Sequence, residues 1–118
     1  DFKLRENSFR LLFENNPVPM WIFDPQTLQF LAVNDATLSH YGYERQDFLD
    51  MPITALWPAD EAQEHLQAVC DLPDHYQSSE SWRHLRADGS EIDVLTFGRR
   101  LNFQNGAVQR YWLWWQAV

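Results

Sequence analysis

Residues 81–118 read SWRHLRADGS EIDVLTFGRR LNFQNGAVQR YWLWWQAV, and this stretch decides the fold. Within it, the runs 81–86, 91–103 and 107–117 alternate in hydrophobicity with the two-residue period of strands. Asp88-Gly89 and Asn105-Gly106 part them, and these dipeptides suit the left-handed backbone of tight hairpin turns. The spacing predicts a three-stranded antiparallel meander.

Upstream the period changes. Across 60–72, Ala62, Leu66, Val69 and Leu72 fall on one face of a helix, with Asp60 and Glu61 near its positive N-terminal end. A helical turn is expected at 45–49, before Pro52. Asn34-Asp35 supplies an N-cap, because a short polar side chain accepts from the free amides of a first turn, for a brief helix through Leu38 and Tyr41 that ends at Gly42. Residues 19–24 and 30–33 read as a hairpin. Before them, 5–15 puts Phe9, Leu12 and Phe13 at i, i+3 and i+4 of an amphipathic helix, which Asn15-Asn16-Pro17 stops. The order is helix, two strands, short helices and a meander. That is the α+β class, with one antiparallel sheet.

The chain has 118 residues, the length of one core, and is 45% hydrophobic and 15% aromatic, which excludes disordered and low-complexity classes. A single cysteine, Cys70, excludes a disulfide framework and a cysteine-rich zinc site. No apolar run approaches the roughly 20 residues of a membrane span, so a cytoplasmic domain without membrane contact is expected. Residues 1–80 hold four basic and fourteen acidic side chains, whereas 81–118 hold five and three. So acidic a chain, lacking a basic stripe, repels phosphate backbones and is not expected to bind nucleic acid. The sequence stops inside an apolar segment, which leads us to expect a piece of a longer protein.

FRLLFENNP at 9–17, the hairpin ending Val33-Asn34-Asp35-Ala36, Tyr41-Gly42-Tyr43, Trp57-Pro58-Ala59-Asp60 and WRHLRADGS at 82–90 together resemble a PAS domain. The likeness is to the bacterial sensory modules found upstream of diguanylate cyclase (GGDEF) or histidine kinase modules. It implies a PAS-like sheet of about five antiparallel strands, flanked by short helices that enclose a small-molecule pocket. Residues 1–16 would then be an N-terminal cap or linker helix and 17–118 the sensor. Many members finish the last strand with Asp-x-Thr, whereas this chain reads Gln116-Ala117-Val118.

The residues give little support to catalysis. No nucleophile elbow, His-Glu-x-x-His or phosphate-cradling glycine loop occurs, and the four glycines stand singly. Cys70 lies five residues from both His65 and His75, off their helical faces, and reads as a small buried hydrophobe. The resemblance places Ile53 where light-sensing members carry their adduct-forming thiol, so that flavin adduct cannot form. It places His65 near the position of an iron ligand in haem-binding members. The plainer reading pairs His65 with Glu61 on the helix surface.

If the register follows the family, alternation turns Trp21, Phe23, Trp82, His84, Val94, Thr96, Trp112 and Trp114 toward the helices, where Leu66 and Val69 complete a candidate ligand pocket. Ile22, Leu85, Leu95, Phe97, Tyr111, Leu113 and Trp115 fall on the opposite face. Phe9, Leu12, Phe13, Leu95, Phe97, Leu113 and Trp115 form the candidate face of a homodimer, since such a surface attracts a partner. The expected function is that of a non-catalytic sensory module that takes a small ligand or dimerises to control an effector domain in the same chain. A haem- or flavin-holding redox or gas sensor and a ligand-free dimerisation module are the alternatives. No cofactor and no metal are expected.

Overall fold

The computed structural model describes the backbone of residues 7–70, 75–77, 81–105 and 107–117, and the side chains of 10–69 and 81–99. Helix α1, Asn7–Asn15, ends where Pro17 forbids continuation, and the Val18 amide donates to Asn16 Oδ1 at 2.9 Å to turn the chain. Strands β1, Met20–Phe23, and β2, Phe30–Val33, pair antiparallel. Between them Leu28 holds a φ of 65°, a left-handed conformation that costs a side-chain-bearing residue about 1–2 kcal/mol. Its carbonyl accepts from the Ile53 amide at 2.8 Å, which joins this turn to a 3₁₀ turn, Ile53–Leu56.

Asn34 governs the next step. Its Oδ1 accepts from the Thr37 amide at 3.1 Å, the N-cap bond of α2, Asp35–Tyr41. The same oxygen accepts from the Met20 amide at 3.0 Å, while Nδ2 donates to the Val18 carbonyl at 2.9 Å. The Thr37 hydroxyl donates to the Met20 carbonyl at 2.8 Å. One side chain thus starts a helix and pins the entry to β1. At the other end of α2, Gly42 takes a φ of 83°, a left-handed C-cap that L side chains rarely adopt. Helix α3, Arg45–Leu49, follows, and the Arg45 guanidinium donates to the Val33 carbonyl and to Asp35.

Helix α4, Ala62–Cys70, leads to a short strand β3, His75–Gln77, and then to β4, Trp82–Leu85, β5, Glu91–Asn105, and β6, Ala107–Ala117. All pairings are antiparallel, in the order β2-β1-β6-β5-β3, with β4 also on β5. Because β3 and β4 lie along successive stretches of β5, the six strands make a sheet five positions wide. The expected meander and hairpin are therefore present, joined through β1 and β6, with Trp21 opposite Trp114. Strand β3 and the 3₁₀ turn are additions to the expectation. The β4–β5 turn carries Gly89 at a φ of 86°; Gly106 lies outside the described residues.

The core fills the space between sheet and short helices. Trp21, Phe23, Phe30, Tyr41, Phe48 and Trp57 are all buried, and the rings of Trp21, Phe30, Tyr41 and Phe48 meet edge to face, as at Phe30–Phe48, where centroids lie 5.1 Å apart at 86°. Ile22, expected on the outer face, is 0% exposed and stands apart from the inner core cluster, so at β1 the chain itself covers that face. Phe13, expected on the dimer face, is a correction. It is 3% exposed while Leu12 is 72% exposed, because neighbours on a helix diverge by about 100° and the buried side of α1 centres on Phe13.

Replacing Asn34 with Ala removes the cap and strands the buried amide and carbonyl it satisfied. A loss of about 2–4 kcal/mol is expected in urea unfolding. Asn34→Asp keeps the accepting oxygen and should fall between. An alanine variant within about 0.5 kcal/mol of the parent would overturn this role for the side chain.

Candidate functional site

Strand β4 sets alternate side chains into the interior: Trp82 and His84 are buried, while Arg83 and Leu85 between them are partly exposed. Its partner β5 does the same with Val94 and Thr96, and β1 with Trp21 and Phe23. Of the eight residues expected on the inner face, these six are buried. Val69 of α4 is buried with them, and Leu66 packs against the same cluster. The side chains of Trp112, Trp114, Phe9, Leu113, Trp115 and Cys70 lie outside the described residues, so the expectations on them rest there.

Two kinds of polarity sit in this apolar interior. His84 is 0% exposed, and a hydrogen bond of 2.6 Å joins its Nδ1 to Tyr41 Oη, a residue also 0% exposed. Trp21 and Trp82 flank the imidazole at 6.2 and 6.4 Å between centroids. Burial pushes the His84 pKa down to about 3, and the nearby His65 and His40 push in the same direction. It is a neutral ring held by a phenol, suited to hydrogen bonding and not to proton transfer near pH 7. The Thr96 hydroxyl is likewise buried, and among the described residues it has no hydrogen-bond partner.

A second cluster joins α4 to the sheet. The His65 imidazole lies face to face on Trp82, with centroids 4.2 Å apart and planes 9° from parallel, and Trp57 meets it edge-on at 5.5 Å. Glu61 Oε1 stands 3.6 Å from His65 Nε2. The Arg83 guanidinium gathers Glu61, Asp60 and Glu91, with 2.9 Å to Asp60 and 3.0 Å to Glu91. The expected Glu61–His65 pair is therefore present, but His65 is 8% exposed and is not a surface residue.

Trp82 covers one face of the His65 ring and Trp57 meets it edge-on, while Nε2, the nitrogen through which a histidine would ligate iron, is buried beside Glu61. Ile53 is 3% exposed and carries no thiol. Among the described residues, no group of three or more His, Cys, Asp or Glu side chains could hold a metal ion, and no helix is long and apolar enough to cross a membrane.

Tyr41, Trp57 and Arg83 escaped the list of candidates. Tyr41 reads as the last apolar residue of a short helix, and only the fold shows its hydroxyl turned to a strand 43 residues away. Arg83 carried a possible signal, a lone cation in an alternating strand, but its three carboxylates are distant in sequence.

Linkage gives His84 a measurable consequence. The unfolded chain takes up a proton near 6.5, which the folded chain refuses until about 3. Its neutral burial therefore supports the fold fully above the unfolded value and fails progressively as pH falls between the two. Unfolding free energy should drop by about 2 kcal/mol from pH 7 to pH 5 on this account, and His84→Asn should lose most of that slope. An equal slope in the variant, by urea titration at both pH values, would contradict the assignment.

The family model for the PAS domain matches residues 17–114. No curated protein matches the sequence. Among solved structures, a domain of a sensory box sensor histidine kinase/response regulator from Geobacter sulfurreducens is similar at a TM-score of 0.76 and 21% identity, over 95% of this chain and 92% of that one. The Rhodobacter sphaeroides LOV protein is similar at 0.72 and 22% identity, over 92% of this chain and 62% of that one. The PAS-B domain of Drosophila melanogaster Cycle, with bound ethylene glycol, is similar at 0.70 and 13% identity, over 85% and 98%. With the matched span taking in β1 to β5, most of β6 and all the helices after α1, the chain belongs to the PAS domain family.

Proposed function

We propose that this domain is a regulatory sensory module, not itself catalytic, that takes a small hydrogen-bonding molecule into its interior and controls an effector in the same polypeptide. The observation that carries the reading is the buried Thr96 hydroxyl, without a hydrogen-bond partner among the described residues. A buried hydroxyl left unmatched costs about 1–3 kcal/mol, which a ligand with a complementary group recovers. A histidine kinase is the effector supported by the Geobacter sulfurreducens neighbour's description. A diguanylate cyclase rests on the sequence resemblance alone. An adduct-forming flavin is not proposed, because Ile53 offers no thiol.

A thermal-shift series against fractionated small metabolites tests this, since a ligand at a hundred times its Kd adds about 2.7 kcal/mol to stability. The expected result is a concentration-dependent rise in Tm that Thr96→Val diminishes without lowering the stability of the free domain. A Soret or flavin band in the purified protein, or no stabilising fraction together with an effector indifferent to Thr96→Val, would sink the reading.

The module is further proposed to work as a homodimer through the outer sheet face. Leu95 is 39% exposed there, and Leu11 and Leu12 on α1 are 56% and 72% exposed, a set of apolar side chains with burial still to gain. Leu95→Asp should weaken self-association by tenfold or more, roughly 1.4 kcal/mol, in sedimentation equilibrium. A parent domain monomeric at tens of micromolar (order of magnitude) would count against the dimer.

A further inference from the structure

Helix α4 is held to the sheet by a small set of contacts, and one of them is titratable. It has nine residues, a length that is marginal as a helix on its own in water, so its structure depends on packing. On its inward side Val69 is 4% exposed and His65 8%, with Leu66 and Ala62 packed against the core. Arg83 tethers the residues just before it, Asp60 and Glu61. The stack of His65 on Trp82 joins the middle of α4 to strand β4.

The charges around His65 oppose one another. From its own segment Glu61 and Glu64 face it; from β4 come Arg83 and the neutral His84. Glu61 is the only carboxylate within ion-pair distance of Nε2 among the described residues, at 3.6 Å, and its other oxygen is already engaged by Arg83. Trp57 and Trp82 close the remaining sides, and Nε2 itself is buried with no hydrogen bond among the described residues. An imidazolium formed here would find its nearest carboxylate oxygen, Glu61 Oε1, at 3.6 Å, beyond hydrogen-bond distance, and would stand beside a guanidinium. Burial, the larger cause, and Arg83 push the pKa of His65 down, against the upward pull of Glu61 and Glu64.

We propose that His65 is a pH-operated latch: as a neutral ring stacked on Trp82 it holds α4 against the sheet, and protonation releases α4 so that the interior becomes accessible in mildly acidic conditions. The device regulates the same interior as the proposed sensory role and rests on that reading for its purpose, though not for its physical operation. In the open state His65 meets water and titrates near its ordinary 6.5; in the closed state it resists the proton. Opening therefore draws on proton binding, and acid shifts the balance toward it.

The test is hydrogen exchange of the α4 amides, corrected for intrinsic rates and referred to the β4 and β5 amides so that global unfolding is separated out. Between pH 7 and pH 5.5 the opening equilibrium of α4 should rise several-fold, with about eightfold as the ceiling for a group that binds its proton only when open. His65→Phe keeps an aromatic ring on Trp82 and loses the proton site, so its α4 protection should not change with pH relative to the sheet. His65→Gln, which cannot titrate either, should lose the pH dependence but show weaker protection at every pH. A His65 ring proton titrating at or above 6.5 in the folded protein, or equal pH dependence in parent and His65→Phe, would overturn the latch. Exchange reads the helix and not the output, so a working latch in a domain that binds no ligand would refute the sensory reading alone.

Discussion

The fold turns on the side chain of Asn34. It is 0% exposed, and its amide bonds both the start of α2 and the entry to β1, elements that lie on either side of the first hairpin. A buried amide is costly unless each of its polar atoms is matched, and here Oδ1 and Nδ2 both are. The geometry that satisfies them is also the geometry that sets α2 across the inner face of the sheet. Because α2 ends at Tyr41, the cap at one end of this short helix determines where the phenol at the other end arrives.

That placement gives the interior its character. Tyr41 reaches His84 on β4, while Arg83, the next residue back, faces the opposite way into Asp60, Glu61 and Glu91. Strand alternation thus splits two neighbours between an aromatic core and a charged edge. The core side gains specificity from a few polar groups held among rings. The edge side gains a tether, one of whose carboxylates, Glu61, also lies 3.6 Å from His65. Strand β4 is therefore the element on which interior, helix α4 and surface charge meet.

Polarity inside such a core has a pH signature whose direction follows from burial. A histidine that is neutral when folded opposes the folded state as protons become available, and His84 and His65 both do so. They differ in what they hold: His84 ties one helix terminus to a strand through a short hydrogen bond, whereas His65 holds a helix by ring stacking.

Much of this was legible in the chain. Alternation over 81–118, the Asp88-Gly89 turn and the Asn34 cap act over a few residues, so their physics is contained in local sequence, and strands, turns and helices stand close to where the reading put them. The inward set that includes Trp21, Phe23, Trp82, His84, Val94 and Thr96 came from the same two-residue period once the family resemblance supplied the register. What local pattern could not convey was closure: β6 lies between β1 and β5, Leu28 accepts a left-handed backbone to reach Ile53, and Tyr41 meets His84 across the core. The stack of His65 on Trp82, where a surface pair with Glu61 was expected, is of the same kind. Each depends on which distant segments become neighbours, and that is decided by the packing of the whole sheet against its helices, since a side chain's partner across a core is set by shape and burial and not by its neighbours along the chain.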